Sequence, residues 1–191
     1  MAKSRPSFIV GIGGSAGALS GYKALLDAMP AITGMAFVIV SHMTHTASRE
    51  LAEILSIHTH MPVTVASNAM PIKRNRVYVI PSDADMFIEK NSFRVVSPRT
   101  RKNIQIDLFF SSLAEAMGTH AIGILFSGYD GDGTIGCKRI KAMGGATFAQ
   151  DSSAEVNEMP LSAQNAGVID FVLPPDKISC ALKGLVSDIA A

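Results

Sequence analysis

The chain has no long apolar run: none approaches the roughly 18 residues that a membrane-spanning helix needs, so no membrane insertion is expected. Charge is also scarce. Only 17% of residues are charged, and seventeen basic against sixteen acidic residues leave a net +1. That balance removes the electrostatic case for nucleic acid or an anionic membrane as partner. There are only two cysteines, Cys137 and Cys180, with neither CxxC spacing nor the density of a secreted scaffold. Free thiols in a reducing compartment are expected. The start, Met1-Ala-Lys-Ser-Arg-Pro, is basic, but the apolar stretch after it breaks at Gly11, too soon for a signal peptide. The expected location is the cytoplasm. Repeats, linkers and low-complexity tracts are missing as well, which points to one domain over residues 1–191, large enough to bury roughly 70% of its unfolded surface.

What is present is an alternation of short apolar runs and amphipathic segments. Ser7–Ile12, Met35–Val40 and Val63–Ala66 read as buried strands. The spacing predicts helices over Ala18–Met29, with Leu19, Tyr22, Leu25, Leu26 and Met29 inward, and over about Ser48–Ile57, with Leu51, Ile54 and Leu55 inward. This βαβαβ order implies a parallel sheet covered on both faces. Val77–Ile80, Met86–Glu89 and Ser92–Val96 are shorter, alternating and separated by turn residues. They predict an antiparallel excursion near residues 76–96 against one sheet edge, with Asp83 and Asp85 as turn residues. Helices over about Ile106–Met117, Thr134–Met143 and Ile178–Ile189 and strands Ala121–Phe126, Ala146–Ala149 and Val168–Val172 complete a doubly wound α/β domain.

In such sheets the reactive groups collect beyond the carboxyl ends of the strands. The first strand runs into Gly11-Ile12-Gly13-Gly14-Ser15-Ala16-Gly17. This is the Gly-x-Ser-x-Gly spacing of a nucleophile elbow, in which small neighbours let a tight turn present the serine hydroxyl. It is also a Gly-x-Gly-x-x-Ala form of the dinucleotide fingerprint, and a serine in such a turn can simply cap the following helix. A nicotinamide site calls for an acidic residue at the end of the second strand; Ser41-His42 stands there instead. Asp132 lies in Gly128-Tyr129-Asp130-Gly131-Asp132-Gly133 after a later strand. Ser15, His42 and Asp132 are thus the residue types of a hydrolytic triad, delivered by separate strand ends. Their order differs from the Ser–Asp–His order of α/β-hydrolases and argues for a separate family. His45, His58, His60 and His120 lack carboxylates at ligand spacing, so no metal site is expected.

These motifs together resemble the catalytic domain of the chemotaxis protein-glutamate methylesterases (CheB-type). Ile12-Gly13-Gly14-Ser15-Ala16-Gly17 is similar to that family's Ile-Gly-Ala-Ser-Thr-Gly-Gly turn, Val40-Ser41-His42-Met43 to its Gln-His-Met strand end, and Val77-Tyr78-Val79-Ile80-Pro81 to its Tyr-Ile-Ala-Pro strand. Ile106-Asp107-Leu108-Phe109 resembles Val-Asp-x-Leu-Phe, and Ser127 to Gly133 resembles Thr-Gly-Met-Gly-x-Asp-Gly. Gly144 to Asp151 and Met159-Pro160 extend the match almost to the C-terminus. The resemblance implies Ser15 as nucleophile, His42 as general base, Asp132 as its partner, and backbone N–H groups at Ala16 and Tyr129 as the oxyanion hole. It implies hydrolysis of glutamyl methyl esters on the cytoplasmic helices of chemoreceptors, with receptor glutamine deamidation as a related activity and no cofactor. Departures from the pattern are Ala16 for threonine, Ala18 for the second glycine, Tyr129 for methionine, and Glu158 before Met159-Pro160. They leave room for a regulatory or binding module that keeps the fold without catalysis. The family's usual receiver domain is not expected before Ser7, and such domains also occur fused to methyltransferase or sensor modules. Arg99-Thr100-Arg101-Lys102 forms a basic loop, either solvated or docking acidic receptor surface.

Overall fold

A computed structural model of the chain describes residues 5–42 and 47–189, with side chains to residue 185; Lys3, Met43 and His45 lie outside the described residues. Seven parallel strands form the main sheet: β1 (Ile9–Gly14), β2 (Ala36–Ser41), β3 (Val63–Val65), β4 (Arg76–Val79), β7 (Ala121–Leu125), β8 (Ala146–Gln150) and β9 (Phe171–Leu173). Their order is β3-β4-β2-β1-β7-β8-β9. The chain builds outward from β1 in one direction, then returns to its other side at β7. The strand order therefore reverses between β1 and β7, the position where such sheets open a crevice.

The central strands β1 and β7 are buried along their whole length and read as nearly unbroken apolar runs, as covering on both faces requires. One face carries α1 (Ala18–Asp27), α2 (Ala47–Ser56) and α6 (Pro175–Ile189), with Leu25, Leu26, Leu55, Ile178 and Leu182 in its core. The other carries α3 (Gln105–Met117), α4 (Thr134–Ala142) and α5 (Glu158–Asn165), around Ile106, Phe110, Leu113 and Ile140. On this second face the strands present glycine where α3 crosses. A Cβ on Gly11 would stand 2.7 Å from the Phe110 ring, one on Gly13 2.6 Å from Ile106, and one on Gly123 3.1 Å from Phe110. Without side chains there, α3 lies directly on the sheet and its N-terminus reaches the ends of β1 and β7.

The excursion is narrower than the sequence suggests. Arg76–Val79 is a parallel strand within the main sheet, between β3 and β2. Only β5 (Asp85–Glu89) and β6 (Ser92–Val96) are antiparallel, and they form their own two-stranded sheet. That hairpin packs Met86, Ile88 and Phe93 into the α3 core and does not extend the sheet edge. Asp85 is no turn residue. It is buried, with its carboxylate accepting from the Thr100 N–H and hydroxyl and from the Gln105 amide. Leu19 and Ile54, expected inward, are exposed. Cys137 is buried in α4 and Cys180 exposed in α6, both free thiols. Among the described residues no helix is long and apolar enough to cross a membrane.

Candidate active site

The nucleophile turn is held from both sides. Ser15 directly follows β1, and its N–H donates to the carbonyl of Ser127 at 2.9 Å, carrying the β1–β7 pairing one step beyond the strands. The buried Ser127 hydroxyl donates to the carbonyl of Ala16 at 2.7 Å. Gly17 then takes a left-handed φ of 74° and serves as the N-cap of α1. No side chain caps that helix, so Ser15 does not play the capping role open to it in the sequence. A Cβ on Gly128 would come within 2.7 Å of the Met159 methyl and 3.1 Å of the Ser15 Cβ, so the β7 loop packs tightly against the serine there. Among the described residues neither the Ala16 nor the Tyr129 N–H finds a protein acceptor.

His42 follows β2 as Ser15 follows β1, each one residue past the paired Gly14 and Ser41, on neighbouring parallel strands. Its Nε2 lies 2.7 Å from Asp132 Oδ2, with side-chain exposures of 9% and 0% that keep water from competing for the pair. Nδ1 has no partner among the described residues, and no hydrogen bond joins it to the Ser15 hydroxyl. Such contacts often tighten only when substrate is bound.

Asp132 is fixed by more than histidine. Oδ2 also accepts from the Ile106 N–H at 3.0 Å, and Oδ1 from the Asp107 and Gly133 N–H groups, each at 2.9 Å. Ile106 and Asp107 lie in the first turn of α3, whose own N-cap, Ile104, offers no side chain. Asp107 in turn accepts from Gly136 in the first turn of α4 at 2.8 Å. Burial lifts the Asp107 carboxyl to about 6, the Gly136 N–H pulling it down and the neighbouring Asp132 charge pushing it up.

The rim is asymmetric. On one side Glu155 stands against Gly17, and a Cβ there would meet its side chain at 2.8 Å. On the other, beside Ser41, Arg99 pairs with Asp83 at 3.3 Å at the base of the basic loop. Tyr129 is 57% exposed. Among the described residues no three His, Cys, Asp or Glu side chains gather as a metal site. His58 instead pairs with Asp27, and His120, directly before β7, packs on Phe8.

The CheB methylesterase family model matches residues 10–182. The chain belongs to that family. It is 30% identical over 94% of its length to a protein-glutamate methylesterase/protein-glutamine glutaminase of Hydrogenovibrio crunogenus, and spans 51% of that relative. It is 34% identical over 88% of its length to a putative protein-glutamate methylesterase/protein-glutamine glutaminase of Leptospira interrogans, of which it spans 89%. The crystal structure of the Thermotoga maritima CheB methylesterase catalytic domain superimposes with a TM-score of 0.86 at 26% identity, covering 93% of this chain and 98% of that one.

The three residues singled out in the sequence thus share one edge of the sheet, with His42 and Asp132 in contact and Ser15 on the adjacent strand end. Three contributors were not singled out there. The hydroxyl of Ser127 and the side chain of Glu155 gave no signal, because neither sits in a pattern that reports its neighbour. Asp107 did carry one, as an acidic residue in the first turn of a helix.

Proposed function

We propose that the protein is a serine ester hydrolase acting on glutamyl methyl esters of chemoreceptor cytoplasmic helices, with Ser15, His42 and Asp132 as its triad. The observation that carries this reading is the His42–Asp132 contact at the end of β2, beside the Ser15 turn on β1. The names of its relatives supply the substrate class.

In this reading the Ser15 hydroxyl attacks the ester carbonyl while His42 Nδ1 takes its proton. Asp132 holds the ring through Nε2 and supports the imidazolium. The Ala16 and Tyr129 N–H groups receive the oxyanion. Collapse expels methoxide, which leaves as methanol with the proton from His42, and a glutamyl ester on Ser15 remains. Water, deprotonated by His42, hydrolyses that ester to free glutamate and restores the serine. A glutamine substrate follows the same path with ammonia as the leaving group. No step requires a cofactor.

The test is methanol release from methylated chemoreceptor, native protein against Ser15→Ala. Release that vanishes in the variant is the expected result. Release from neither protein, across several receptors, would favour a binding module that keeps the triad unused.

A further inference from the structure

A helix start leaves its first N–H groups without partners, and a polar side chain at the N-cap normally meets one of them. Neither α3 nor α4 has such a residue, their N-caps being Ile104 and Gly133. Each start is closed by a carboxylate belonging to the other. Asp132, just ahead of α4, accepts from Ile106 and Asp107 at the head of α3; Asp107, at the head of α3, accepts from Gly136 at the head of α4. Capping alone does not call for an acid at residue 107, since asparagine caps as well. The acid is unfavourable there. It is half-buried, no Lys or Arg pairs with it among the described residues, and it lies against a second carboxylate.

We propose that Asp107 is a positioning residue for the triad, pinning the turn that carries Asp132 by donating its N–H to that carboxylate and accepting from Gly136 at the head of α4. This rests on His42 and Asp132 being the base and its partner. The groups around Asp107 are few. Asp132 faces it from the turn before α4. Cys137 faces it from α4, its thiol pushed up by burial and by the Asp107 charge. β1 and β7 put glycines and apolar side chains against α3. Asparagine would keep the acceptor for Gly136; alanine would remove it.

The experiment is the rate at which a fluorophosphonate labels Ser15 across pH, for the native protein, Asp107→Asn and Asp107→Ala, at a temperature below every Tm. Asp107→Ala should label about tenfold to a hundredfold more slowly, the cost of a misplaced catalytic group. Asp107→Asn should recover the plateau rate. Native-rate labelling by the alanine variant, or failure of asparagine to rescue, would overturn the proposal. Amide hydrogen exchange at Gly136 reads the same tie without chemistry: the amide should stay protected in Asp107→Asn, and loss of protection there overturns the proposal even if the alanine variant does not fold. Failure of the native protein to label would count against the esterase reading, leaving the Gly136 exchange to decide the role of Asp107.

Discussion

The backbone N–H of Ser15 is engaged by the carbonyl of Ser127, 2.9 Å away. With its own N–H occupied, Ser15 as the proposed nucleophile would leave the oxyanion to the next residue along the turn. Ala16 has its N–H open and Tyr129 offers a second from the β7 loop, which matches the elbow arrangement of strand–turn–helix hydrolases.

Tyr129 should then matter through its backbone and not its ring. Tyr129→Met is expected to leave methanol release within about threefold of native, whereas losing an oxyanion donor costs a factor of about a hundred or more. A loss of that larger size with methionine would assign the phenol a direct role.

Asp132→Asn should lower kcat by about three to four orders of magnitude, because the amide cannot support an imidazolium or hold the ring as the carboxylate does. Asp132→Ala should in addition unfold at lower denaturant, since the Ile106 and Asp107 N–H groups lose their acceptor at ~1–3 kcal/mol each when buried. Urea unfolding of the two variants separates the effects; equal stability would show that the α3 start finds another partner.

The raised Asp107 carboxyl also gives stability a pH dependence of fixed sign. Above 3.8 the unfolded chain releases this proton, while the folded protein keeps it until about 6. Stability contributed by the protonated acid is therefore lost as pH rises through that window, and the loss persists above it. Asp107→Asn should escape it, so its stability relative to native should increase between about pH 4 and about pH 7. A difference that stays constant over the range would refute the assignment.

Reversing Arg101 and Lys102 to glutamate should weaken turnover of whole receptor, most at low salt, and spare a small ester. The loop is tied down by Thr100 on Asp85 and Arg99 on Asp83, so the substitutions change charge without freeing the segment. Equal effects on both substrates would remove docking from its functions.

Much of this was readable in the chain because strand ends are. Continuous apolar runs located β1, β2 and β7, and the candidate residues Ser15 and His42 stand immediately past the first two. Arg76–Val79 was misplaced because a short run with turn residues on both sides does not encode the direction of its pairing; that depends on β2 and β3. α5 went unseen because its buried side chains are few, Met159, Pro160 and Ala163, too few to draw a helical stripe. Leu19 and Ile54 fit the stripe but fell at its margin. Asp85 looked like a turn residue until its partners, fifteen and twenty residues away, were in place. Asp107 bonds a helix 29 positions downstream, a relation no local pattern contains.

The glycine floor under α3 has an evolutionary reading. A side chain on Gly11 would run into Phe110, one on Gly13 into Ile106, and one on Gly123 into Ile140 and Phe110. A recombinant that takes its first strand from one relative and this helix from another would join a bulky ring to a side chain, or leave an empty slot. Either mismatch would be felt at the Asp132 carboxylate that the head of the helix grips. The heritable unit of this site is therefore the strand–helix pair.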